Sequence, residues 1–154
     1  MVANDKRQDY LIKIFALMRD RESITINDKN TNFKSTEMRL LTQVILAKYE
    51  GKRLISAQLA KLLGVTRSAI SQIVNVLEAR GVVVRVPDSI DKKIAYIELA
   101  DGVFDAYSED LEKGCAFADE LVKEFGEEKF DTMCELYTNF AALVQKKIGM
   151  YEEK

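Results

Sequence analysis

"AKLLGVTRSAISQIVNVLEARG", residues 60–81, holds two helical patterns, parted by Gly64 and closed by Gly81. In the second, Ile70, Ile73, Val74 and Leu77 recur at steps of three and four, the spacing of a buried helical face. The opposite face carries Arg67, Ser68, Ser71, Gln72 and Asn75. A helix that needs only solubility carries Lys and Glu there. Short donors and acceptors instead suit a helix lying in a DNA groove, where base edges are read by hydrogen bonds. The turn between the two patterns is equally specific. Gly64 permits a tight reversal, Val65 is expected to plug the gap between the helices, and Thr66 is a natural N-cap for a helix over 67–79. Ala60 is small where the two helices cross.

Upstream, a helix is predicted from Ser35-Thr36-Glu37 to Tyr49, with Met38, Leu41, Val44, Ile45 and Lys48 at its inner spacing. Ser56 is placed to cap a short helix over 57–63. Further back, Tyr10, Leu11, Ile14, Phe15, Leu17 and Met18 form the stripe of a first helix over 5–20, before the polar loop "DRESITINDKNTN". Downstream of Gly81 the period drops from 3.6 to 2. "VVVRV", the charged turn "PDSIDKK" and "IAYIEL" together predict a β-hairpin. From Asp101 the helical period returns through Phe104, Tyr107, Leu111, Cys115, Ala118, Val122 and Phe125. Gly126 interrupts it, and Phe130, Met133, Tyr137, Phe140, Val144 and Ile148 repeat the stripe. A helix–turn–helix followed by a hairpin is a winged helix. The fold class is therefore mainly α with a small β-wing: a winged helix-turn-helix flanked by long N- and C-terminal helices.

At 154 residues, 47% hydrophobic and 31% charged, the chain reads as a single globular domain spanning 1–154. It shows neither a signal-peptide pattern nor an apolar run of membrane-spanning length, so a cytoplasmic protein is expected. Histidine is absent, which excludes His-based triads, general bases and metal ligands. No phosphate loop or dinucleotide fingerprint is present. Neither an enzyme nor a bound cofactor or metal is expected. The two cysteines, Cys115 and Cys134, form no framework or metal knuckle, and both are read as small apolar residues buried on helical stripes. The net charge of −2 hides a strong polarity. Residues 51–93 hold eight basic and three acidic side chains, whereas 94–154 hold six basic and fifteen acidic ones. A basic middle is what a phosphate backbone attracts.

Over essentially its whole length, and most specifically over 33–100, the sequence resembles the MarR-type bacterial transcription regulators. The matching pieces are "EMRLL", "AQLAKLLGVTRSAISQIVNVLEARGVVVR" and "DSIDKKIAYIEL", the last similar to that family's Asp-x-Arg-x-x-x-Val-x-Leu-Thr wing. The resemblance implies a homodimer in which helices from 1–20 and 101–150 interlock around a DNA-binding lobe at 33–100. It implies a recognition helix in the major groove of a pseudo-palindromic operator and a wing tip in the minor groove. It also implies, for many members, repression relieved by a small ligand. In the wing, Lys93 stands where the family carries arginine, a weaker reader of a narrow minor groove.

The candidate DNA-contacting residues are Thr66, Arg67, Ser68, Ser71, Gln72 and Asn75 on the helix, and Arg85, Lys92 and Lys93 on the wing. Gln72 and Asn75 suit adenine edges, Arg67 a guanine or a phosphate, and Thr66 a phosphate at the helix start. Ile90, at the wing tip, is expected to pack on the wing's base or to touch the sugar–phosphate wall. An effector pocket, if present, draws on Tyr10, Met38, Ile45 and Tyr107. The alternative is a winged helix that serves as a protein-interaction module without binding DNA; it has no need of a basic middle segment.

Overall fold

The computed structural model describes residues 32–152 and, within the N-terminal segment, residues 12, 14, 16 and 17, which are helical. Tyr10 and the rest of the first predicted helix lie outside the described residues. The chain divides into two compact units, one ending at Ala106 and the other beginning at Tyr107.

In the first unit, α1 (Ser35–Tyr49) leads into the two-residue strand β1 (Leu54–Ile55), then α2 (Ser56–Leu63) and α3 (Arg67–Ala79). The wing follows as β2 (Val83–Pro87) and β3 (Ala95–Leu99), and the short α4 (Val103–Ala106) closes the unit. The sheet is antiparallel in the order β1-β3-β2, with Leu54 opposite Ile97 and Arg85 also opposite Ile97 from the other side. Strand β1 has no counterpart in the sequence reading, because two residues are too few to show a period. Its pairing also changes the start of α2. Ile55 is still extended as the N-cap, and Ser56 is already inside the helix, so Ser56 does not cap it. The Gln58 side chain instead accepts from the Ile55 N–H at 3.0 Å.

Leu40, Leu59, Ile70, Val74, Leu77, Val82 and Val83 are fully buried and make the core. Burial of each such side chain contributes about 1.5–3 kcal/mol. On α1 the inward residues are Glu37, Leu40, Leu41, Val44 and Ala47; Met38 and Ile45 are half-buried and Lys48 is exposed, so the face is turned from the expected one. Lys48 lies out over the Phe104 ring, 5.9 Å from its centroid.

Gly64 takes the left-handed conformation (φ 68°) that ends α2, and the Val65 N–H returns to the Ala60 carbonyl at 3.0 Å. Val65 itself is 37% exposed and plugs nothing; Leu59, Ala60, Leu63 and Ile70 are the buried residues around this turn. The Arg39 Nη2 donates to the Leu63 carbonyl at 2.9 Å, satisfying one of the carbonyls left open at the end of α2. Thr66 caps α3 as its sequence predicts, Oγ1 accepting from the Ala69 N–H at 3.1 Å. At the far end of α3, Arg80 donates from Nη1 to the buried Glu37 carboxylate at 3.1 Å and from Nη2 to the Asn32 carbonyl at 2.8 Å. Its guanidinium also stacks on Phe33, 4.7 Å from the ring centroid. Glu37 accepts in addition from the Lys34 N–H at 2.9 Å, which makes its burial tolerable.

The second unit holds α5 (Ser108–Phe125) and α6 (Glu127–Glu152), separated by Gly126 at φ 99°. No residue from 107 to 150 is buried. The apolar stripes have the predicted spacing, but no described residue of this unit encloses them. Cys115 and Cys134 are accordingly exposed, contrary to the reading of both as buried. Among the described residues, no helix is long and apolar enough to cross a membrane.

Candidate nucleic-acid interface

Helix α3 is two-faced. Ile70, Val74 and Leu77 hold it against the core, while Thr66, Arg67, Ser68, Ser71, Gln72 and Asn75 are all exposed on its other side. Those six residues follow from the 3.6-residue period once the inner face is anchored. The N-terminus of α3 lies at the same surface, with Thr66 and Arg67 beside it, an arrangement suited to an anionic group.

The wing tip is held by one carboxylate. Asp88 Oδ1 accepts from the N–H groups of Ile90 and Asp91 at 2.9 and 2.8 Å, and Oδ2 accepts from the Tyr96 hydroxyl at 3.1 Å. The Asp91 and Ile90 N–H groups hold the Asp88 carboxyl below its usual range, with a smaller contribution from Tyr96. The same hydrogen bond pushes the Tyr96 phenol up. Asp91 Oδ1 then accepts from the Lys93 N–H at 3.0 Å. Arg53, just before β1, stacks on the Tyr96 ring at 4.0 Å and pairs with Glu98. The outcome is a fixed tip from which Lys92 and Lys93 project into solvent. Ile90 is 92% exposed, so it does not pack on the base of the wing.

Arg85 differs from the other candidates. It is half-buried and turned along the molecule: its Nη1 pairs with the Glu78 carboxylate, its backbone N–H donates to Glu78 Oε1 at 3.2 Å, and its Nη2 donates to Asn75 Oδ1 at 2.7 Å. Within the basic segment, Lys52, Arg53, Arg80 and Arg85 are each matched by a glutamate. The remaining cations, Lys61, Arg67, Lys92 and Lys93, have no carboxylate in ion-pair reach among the described residues. Three of those four stand at the start of α3 and at the wing tip. Glu78, Asp88, Tyr96 and Arg53 were missed as site residues by sequence reasoning. Glu78 did carry a signal, being the only acidic residue between 51 and 87. Of the suggested effector residues, Met38 and Ile45 are half-buried on α1, Tyr107 is half-buried in the second unit, and Tyr10 is outside the described residues.

Residues 32–94 match the sequence model of the MarR family. Among solved structures, a MarR family protein from Bacillus stearothermophilus is similar at TM-score 0.60 and 17% identity, over 94% of this chain and 99% of that one. A MarR-like transcriptional regulator from Thermotoga maritima is similar at 0.54 and 22%, over 93% and 99%. NadR in complex with 4-hydroxyphenylacetate is similar at 0.59 and 21%, over 92% and 95%. At these identities the likeness is one of fold. No curated protein matches the sequence.

Proposed function

We propose that this chain, whose residues 32–94 match the sequence model of the MarR family, is a homodimeric, sequence-specific DNA-binding repressor. The observation that carries the reading is the exposed face of α3, free of solvating Lys and Glu, with cations at its start and at the wing tip that meet no carboxylate among the described residues. Side chains of α3 would read base edges in the major groove while Lys92 and Lys93 approach the backbone beside the minor groove. The second copy would cover the exposed apolar side chains of the second unit, among them Leu121, Leu136, Phe140 and Leu143. Repression would act by occluding a promoter. A small ligand would relieve it by favouring a spacing of the two recognition helices that does not fit the operator. That part of the reading draws on NadR, whose structure holds 4-hydroxyphenylacetate; Met38 and Ile45 are candidate contacts on α1.

The test is selection of bound DNA from a random pool, followed by titration of the selected site at several salt concentrations. A pseudo-palindrome with half-sites about 10 bp apart is expected. With Arg67, Lys92 and Lys93 engaged on each protomer, log K should fall with log salt at a slope of about −5. Binding that is indifferent to salt, or a pool without enrichment, overturns the function.

A further inference from the structure

Asn75 is exposed on the reading face of α3, yet one end of its carboxamide is already occupied. A guanidinium has only donors, so the atom 2.7 Å from Arg85 Nη2 is the amide oxygen and the orientation of the amide follows from chemistry. Arg85 has little freedom to let go. Its backbone N–H and its Nη1 are both held by Glu78, which lies three residues beyond Asn75 on the same helix. The three side chains form a strut from β2 to α3, with the Asn75 oxygen at its end.

A free asparagine reads adenine with both halves of its amide, the oxygen accepting from the base amino group and the nitrogen donating to N7. Here the oxygen faces a cationic donor. A base amino group, itself a donor, would have to approach beside that cation. The nitrogen is the half left to the groove, and polarisation of the amide by the guanidinium strengthens it as a donor. We infer that Asn75 reads DNA as an oriented hydrogen-bond donor, selecting a base whose groove edge presents acceptors with no amino group beside them, guanine or thymine, and that Arg85 is its positioning residue. This inference rests on the DNA-binding reading above and replaces the expectation of an adenine contact for Asn75.

The experiment is DNA selection by the intact protein and three variants, scored position by position. Asn75→Ala locates the base pair concerned, as the one position per half-site whose preference flattens. The native protein is expected to prefer guanine or thymine there by about tenfold, within the range of one directed base contact. Asn75→Asp keeps a partner for Arg85 but offers only acceptors, so the same strand position should turn to cytosine or adenine. Arg85→Lys retains the charge but not the fork, and should relax the preference at that position while neighbouring positions keep theirs. A merely structural loss would flatten the whole site. Native preference for cytosine or adenine at that position, or an unchanged preference in Asn75→Asp, overturns the inference alone. Enrichment of no DNA by the native protein overturns it together with the function.

Discussion

The 13 residues of α3 and the 45 residues from Ser108 to Glu152 are both amphipathic helices, and they treat their apolar faces in opposite ways. In α3, Ile70, Val74 and Leu77 are sealed in a core shared with α1, α2 and the wing. In α5 and α6, residues as large as Phe117 and Leu136 remain exposed. An apolar period states that a face will be covered, not by what. In α3 the covering comes from the same chain, which frees the other face for polar work. In α5 and α6 it has to come from elsewhere, and a second copy is the proposed source.

The largest test of this contrast lies inside the lobe. Ile70→Ala should cost about 2–5 kcal/mol, because the site is fully enclosed and cannot collapse around the gap. Denaturant unfolding followed by circular dichroism reads the loss. A cost below about 1 kcal/mol would mean that the lobe core is not self-sufficient, and the contrast would break. The paired change Leu136→Asp with Phe140→Asp attacks the other side. It should leave a folded lobe but shift sedimentation to a monomer and weaken operator binding by about 100-fold, since two half-sites are then engaged independently. A dimer that survives would move the subunit contact away from α6.

Smaller changes sharpen the picture within the lobe. Thr66→Ala removes the side-chain N-cap of α3 and should lower stability by about 1 kcal/mol, seen as a shifted unfolding midpoint. Acidification acts on the wing tip through Asp88 and has the smallest effect. The folded Asp88 carboxyl is held below its unfolded value, so its contribution is complete above that unfolded value and is lost as pH falls through the folded one. Amide NMR signals of Ile90 and Asp91 should move in that acid range while those of Leu77 and Val83 stay protected. Asp88→Asn should remove the transition.

These regions also differ in how far they could be read from residues alone. The period of α3, its Thr66 cap and the Gly64 and Gly81 stops are local features, and all are found where the residues place them. The hairpin is equally local. What escaped depends on contacts across the chain. Arg85 reaches Asn75 and Glu78 only because β2 turns back beside α3, at separations of ten and seven residues. Strand β1 exists only because β3 offers it an edge. Val65 has the right character for a plug, but the left-handed turn at Gly64 leaves it facing outward. The two cysteines occupy apolar stripes, and their exposure follows from the missing cover, which no residue pattern records.

The sheet order β1-β3-β2 has a consequence for self-association of the folded chain. "VVVRV", residues 82–86, is a β-branched run of the kind that seeds intermolecular strand pairing, and it leads into an edge strand rather than a central one. Both edges of the sheet are blunt. β1 is two residues long, too short to template a neighbour, and β2 ends at Pro87, which has no N–H to offer. The half-buried Arg85 places a charge in the middle of the same edge. The folded wing is thereby protected against joining another wing.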